Sequence, residues 1–239
     1  MGPPTKFILT SGILGIILYP IVRKYIITEN LMDEINCEEK AYWLGFFYAD
    51  AYNKEKTGQI IIELQEMDQN HLVKCANFFG KPRPPFKQLK NKGKYVAYRL
   101  ELNSRYLSTS LIKKGRHGAK SFNITFPEWI DNHLIQHFIR GYFDGDGSIY
   151  IHQDQLNIEF ASTQEMCISI NNILSNLNIR GQIYHPERYK NNTYKLCFGG
   201  SRQVKRFCEW LYKDANIYLD RKHNIYKLYC ENHVFKFKD

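Results

Sequence analysis

Two aspartates, Asp50 and Asp146, each close a run of large apolar residues, where a helix should end. The first run reads AYWLGFFYADAY (Ala41 to Tyr52), the second FIRGYFDGDGSIY (Phe138 to Tyr150). A carboxylate at a helix C-terminus meets the negative end of the helix dipole, at a cost of about 0.3–1 kcal/mol, and two such groups brought together repel. A divalent cation reverses both effects. Carboxylates at a place that also receives phosphate form the usual donor set for Mg2+. Metals flanking a phosphodiester stabilise its attacking and leaving oxygens. Phosphodiester hydrolysis is the chemistry these residues could do, provided the fold brings them together.

Two plainer readings compete. DGDGSIY (Asp144 to Tyr150) resembles the start of a calcium loop, with Asp144, Asp146 and Ser148 at alternate positions. The glycine such a loop requires is Ile149 here, and its closing acid is Gln155, so that reading fails. An ordinary Asp-Gly turn is the other. Two copies at matched positions, each behind an apolar helix with small residues, weigh against it.

The elements that position the aspartates repeat. Asp50 and Asp146 are 96 residues apart, and the same offset lays QIIIEL (Gln59 to Leu64) on QLNIEF (Gln155 to Phe160) and YRL (Tyr98 to Leu100) on YKL (Tyr194 to Leu196). This period is far longer than that of solenoid repeats. It divides the chain into an apolar extension over 1–35 and two units over 36–130 and 131–239. Each unit begins with an apolar helix, Glu38 to Ala49 or His133 to Gly145. A hairpin follows, turning at Thr57-Gly58 or near Gln153-Asp154. A second helix starts at a capping residue, Asp68 or Thr163. A second hairpin and a final helix complete the unit. The order is αββαββα, twice. The fold class is α+β, with antiparallel sheets.

Four-residue spacing puts Gly45 and Ala49 on one face of the first helix, and Gly141 and Gly145 on one face of the second. Small faces allow close backbone approach. The two helices are therefore expected to pack on each other about a pseudo-twofold axis, bringing Asp50 and Asp146 together. Asp144, whose counterpart is Tyr48, is given no part in the chemistry.

Strand alternation turns Ile60, Ile62 and Leu64, and Leu156, Ile158 and Phe160, toward the helices. The opposite faces carry Gln59, Glu63 and Gln65 in one unit, and Tyr150, His152, Gln155, Asn157 and Glu159 in the other. Arg99 and Lys195 join these faces. Lys54, Lys56, Lys87, Lys90, Lys92, Lys94, Arg188 and Lys190 lie on strands and hairpin tips, where a surface tracking a phosphate backbone needs cations. The Gln, Asn and Arg side chains could contact bases. A merely solvated sheet face is the bland alternative.

Composition agrees with an acidic partner. Lys and Arg total 33 against 24 Asp and Glu, a net charge of +9, with 17 Tyr and 15 Phe. Six cysteines form no CxxC pair, which argues against a zinc site or disulfide framework and for a reducing, intracellular compartment. The uncharged stretch Phe7 to Val22 is shorter than a spanning helix needs and is interrupted by Gly12, Gly15 and Pro20. A buried element, a membrane anchor and a degenerate helix-turn-helix remain as readings of it, the anchor being disfavoured.

At WLGFFYADA (Trp43 to Ala51) and IRGYFDGDG (Ile139 to Gly147) the chain resembles the LAGLIDADG homing endonucleases in their single-chain, two-motif form. Phe126-Pro127 before the second motif and LDRKHN (Leu219 to Asn224) add to the likeness, which covers the chain beyond about residue 34. The resemblance implies a monomeric pseudo-dimer with saddle-shaped sheets on a long, asymmetric double-stranded DNA target, with no obligate protein partner. It implies cleavage of both strands with Mg2+, with Mn2+ as a substitute and Ca2+ as an ion that binds without supporting cleavage. By motif position Asp50 and Asp146 are the metal ligands. Lys120 and Lys222, at equivalent places after the last helix of each repeat, would polarise the attacking water or neutralise phosphate. An intron RNA maturase or a DNA-binding regulator on the same scaffold is the alternative. Tyr48 and Ala51 depart from the motif, and make the halves unequal.

Overall fold

The computed structural model describes residues 7–8, 19–20, 25–116, 124–187 and 192–232. Strands β1 (Phe7–Ile8), β2 (Tyr19–Pro20) and β3 (Ile26–Ile27) precede the first repeat. That repeat comprises α1 (Glu38–Asp50), β4 (Ala51–Lys54), β5 (Gln59–Gln65), α2 (Gln69–Phe78), the short β6 (Gly80–Lys81), β7 (Phe86–Lys90), β8 (Tyr95–Asn103) and α3 (Arg105–Lys113). The second comprises α4 (Ile135–Asp146), β9 (Gly147–His152), β10 (Gln155–Ser162), α5 (Gln164–Ser175), β11 (Gln182–Tyr184), β12 (Tyr194–Gly199) and α6 (Ser201–Tyr212). A further helix, α7 (Asp220–Asn232), follows.

Two four-stranded antiparallel sheets result, ordered β4-β5-β8-β7 and β9-β10-β12-β11, the same arrangement in each repeat. Hairpin geometry is locally encoded. Gln153 and Asp154 both take positive φ, +48° and +57°, as a two-residue turn matching the strand twist requires. Gly58 turns the first hairpin at φ +71°, and any side chain there would strike Arg105. The Thr163 side chain accepts the Met166 N–H and caps α5. Asp68, expected to cap α2, makes no such bond: it closes a 3-10 turn over Glu66–Asp68, and its carboxylate is taken by Arg221 at 3.0 Å and Gln65 at 2.8 Å.

One continuous apolar core runs through both repeats. α1 is buried on every side from Ala41 to Ala49, as befits a helix apolar all round. Ile60 and Ile62, and Leu156, Ile158 and Phe160, are buried beneath their sheets. All six cysteines are free thiols. Among the described residues no helix is long and apolar enough to cross a membrane. Most of the Phe7 to Val22 stretch lies outside the described residues.

Candidate active site

α1 and α4 meet along their small residues. A Cβ on Gly45 would overlap the Phe138 carbonyl oxygen, and one on Gly141 would overlap that of Tyr42. Tyr42 and Phe138 are related by the repeat offset, so a single contact is made twice. Backbones this close exclude any side chain at the crossing. One turn on, a Cβ on Gly145 would run into Ala49 and stand 3.5 Å from the Asp50 nitrogen. The last turns of the helices are thus side by side, and the half-buried Asp50 and Asp146 end them. Each helix passes directly into a strand, so each aspartate stands where helix end and sheet edge join.

Two buried cations lie under these ends. Arg116 is 0% exposed; its Nε donates to the Phe47 carbonyl at 2.7 Å and its Nη2 to that of Ala51. Lys222 is 3% exposed; its Nζ donates to the carbonyls of Phe143 at 2.6 Å, Asp144 at 2.8 Å and Gly147 at 2.5 Å. Phe47 and Phe143, and Ala51 and Gly147, are equivalent positions. Each cation therefore satisfies carbonyls at its helix C-terminus and opposes the negative end of the dipole. Burial lowers the Lys222 pKa to about 8, against the pull of Asp144, Asp50 and Asp146. Burial also lowers that of Arg116, opposed chiefly by Asp146.

Two expectations change. The carboxylates' unfavourable placement is already compensated in part by the protein's own cations. Lys222 has its three donors committed to backbone carbonyls, so it holds the turn that carries Asp146. Its counterpart by contact is Arg116; Lys120 lies outside the described residues.

Asp144 also gains a definite place. It is buried between the repeats, and its Oδ2 accepts from Tyr42 Oη of α1 at 2.7 Å and from the Leu219 N–H at 2.7 Å. Burial raises its pKa, opposed by Lys222 and these hydrogen bonds. Because the Tyr42 proton goes to Asp144, the 2.9 Å contact between Tyr42 Oη and His71 is donated by His71 Nε2. The fully buried Arg140 binds Glu38 at 2.6 Å and the carbonyls of Ile217 and Leu211. The C-terminal segment of the second repeat is thereby fastened to the first.

On the sheets, register decides which side chains share the open face. Tyr52, Lys54, Gln59, Glu63, Gln65, Arg99 and Lys90 do so in the first. Lys87 pairs with Tyr98, so its register puts it with the helix side of its strand and not with the open face. Lys56 and Lys92 are exposed in the hairpin turns. Ser148, Tyr150, His152, Gln155, Asn157, Glu159 and Lys195 share the second open face. Acids on these faces hold several of the cations back from phosphate. Arg99 and Lys90 are both held by Glu63, and Lys195, only 7% exposed, by Glu159. Gln59 is bonded to Lys54 and Asn103. Arg188 and Lys190 lie outside the described residues.

Residues 134–211, which span most of the second repeat, match the family described as LAGLIDADG-like domain. The whole architecture is similar to meganuclease I-SmaMI bound to uncleaveable DNA, with a TM-score of 0.55 at 14% identity over 80% of this chain and 88% of that one. The chain has the LAGLIDADG fold. The I-LtrWI LAGLIDADG homing endonuclease bound to target DNA is similar at a TM-score of 0.53 and 10% identity, over 84% of this chain and 89% of that one. Full-length DUF199/WhiA from Thermatoga maritima is similar at 0.53 and 18% identity, over 89% and 69%. A curated relative, the probable translation initiation factor IF-2 of Methanocaldococcus jannaschii, is 30% identical over 95 residues, which are 37% of this chain and only 8% of that protein.

Within this LAGLIDADG fold, Arg116 and the pairing of Glu63 and Glu159 with the face cations are what sequence reading missed. Repeat offset would have paired Glu63 with Glu159 and Arg99 with Lys195, but not Arg116 with Lys222, because the segments after α3 and α6 differ in length.

Proposed function

We propose that this chain is a monomeric, site-specific endonuclease of double-stranded DNA. The observation that carries the reading is that the helix turns ending in the half-buried Asp50 and Asp146 lie side by side, at the end of a close-packed helix pair and at the edges of two polar sheet faces. Among the described residues no three His, Cys, Asp or Glu side chains gather to form an all-protein metal cage. Two carboxylates completed by substrate phosphate are instead the donor set that suits Mg2+. Asp50 and Asp146 would hold the ion, which when bound supplies charge to the developing oxyanion and the leaving oxygen. Arg116 and Lys222 fix the turns that carry the two carboxylates. Lys56 and Lys92 supply phosphate contacts, and Gln59, Gln65, Tyr150, His152, Gln155 and Asn157 face the bases.

The internal compensation by Arg116 and Lys222, which lessens the need of the two carboxylates for a metal, favours a second reading: sequence-specific DNA binding without cleavage on the same scaffold. Selection decides between the two. The purified chain is given a randomised duplex library with Mg2+ or with chelator, and bound and cut pools are sequenced. The endonuclease reading expects defined cut sites only with Mg2+. Enrichment in the bound pool with no cut product would establish the second reading instead.

A further inference from the structure

Glu63 and Glu159 occupy equivalent positions on the middle strands β5 and β10, and each holds a cation from the neighbouring strand. Arg99 Nε donates to Glu63 Oε1 at 2.5 Å, and Lys195 Nζ donates to Glu159 Oε1. Arg99 and Lys195 are again one repeat offset apart. The two ladders are shifted by two residues relative to each other. Arg99 faces Glu63 directly, whereas Lys195 faces Ala161 and reaches Glu159 along the diagonal. The couple is kept although the register changes.

A carboxylate on a face that meets DNA repels phosphate, so its repetition asks for a use. Each couple sets N–H donors beside a carboxylate acceptor. In the major groove a G·C pair shows two acceptors, guanine N7 and O6, beside one donor, cytosine N4. The couple is the complement of that pattern. An A·T pair alternates acceptor, donor and acceptor and ends in a methyl group, which a carboxylate does not match. The ion pair also withholds the cation from indiscriminate phosphate contact. Hydrogen bonds from Lys90 and Arg99 overcome burial and keep the Glu63 pKa below the ordinary value, so its carboxylate stays an acceptor.

We propose that each sheet reads one G·C base pair through this couple, Arg99 with Glu63 in one half-site and Lys195 with Glu159 in the other, at positions equidistant from the pseudo-twofold axis. This rests on the DNA-directed function proposed above. The guanidinium is a planar fork, whereas the Lys195 ammonium is a point charge on a side chain only 7% exposed, so the first half-site is read more strictly.

The test is selection of duplexes bound by the full chain from a random library, without Mg2+ so that cleavage plays no part. Wild type, Glu63→Gln, Glu159→Gln and Arg99→Lys are compared, each checked for folding by circular dichroism. The wild-type profile is expected to hold one G·C pair in each half at matched positions. Glu63→Gln should relax one of them about tenfold and Glu159→Gln the other, with the rest of each profile unchanged. Arg99→Lys should weaken the same position as Glu63→Gln while keeping the charge. Profiles that do not change in any variant overturn this inference alone. Failure of wild type to enrich any sequence overturns it together with the proposed function.

Discussion

Arg116 and Lys222 bind equivalent pairs of backbone carbonyls in the two repeats, those of Phe47 and Ala51 and those of Phe143 and Gly147. They come from segments of different length, and they differ in chemistry. What they share is the end result, a buried positive charge under the helix turn that presents an aspartate.

Replacing Lys222 by Met should remove the side-chain donor from the carbonyls of Phe143, Asp144 and Gly147, of which that of Phe143 still accepts the Gly147 N–H. An unsatisfied buried group costs about 1–3 kcal/mol, so urea unfolding should show a loss of about 3 kcal/mol, partly restored in Lys222→Arg. If Lys222 served only phosphate or water, the unfolding midpoint of Lys222→Met would not move.

Gly141→Ala should act at the helix crossing. The added methyl would overlap the Tyr42 carbonyl, which is backbone and cannot step aside. Overpacking of this kind costs about 1–3 kcal/mol. Thermal unfolding of Gly141→Ala checks the loss, and Gly93→Ala in the exposed hairpin gives a comparison where a Cβ meets nothing within 4 Å but the backbone, at φ +87°, strains any L residue.

His71 should make stability depend on acid. Burial lowers its pKa from 6.5 to about 3. As pH falls below 6.5 the unfolded chain takes up a proton that the folded chain refuses. The stability tied to neutral His71 is therefore complete above pH 6.5 and is lost progressively toward pH 3. The slope approaches about 1.4 kcal/mol per pH unit. Urea midpoints between pH 7 and pH 4.5 should fall less steeply in His71→Gln than in wild type.

Much of the frame was legible because it is written in local patterns. The matched small residues foretold the α1–α4 crossing, and alternation in QIIIEL and QLNIEF marked the buried sheet faces. Helix α7 was not read, although Leu219, Lys222, Tyr226 and Tyr229 stand at helical spacing, because its buried face is partly polar. The partners of Asp144, Lys195 and Lys222 were also not legible. Each is fixed by a residue far along the chain, and pairings at such separations leave no periodic trace in the sequence. Asp144 illustrates this: its neighbour Asp146 stands at the helix end, while Asp144, two residues away, points inward and joins the repeats through Tyr42 and Leu219.

The central claim is that Asp50 and Asp146 act together on a phosphodiester. The most direct measurement is single-turnover cleavage of one selected duplex, labelled on each strand, by wild type, Asp50→Asn and Asp146→Asn, with binding measured in parallel. The account predicts Mg2+-dependent cutting of both strands by wild type, a fall of about 10²–10³-fold or more in each variant, and retained binding. Full cutting by either variant, or cutting by wild type in excess chelator, would contradict it.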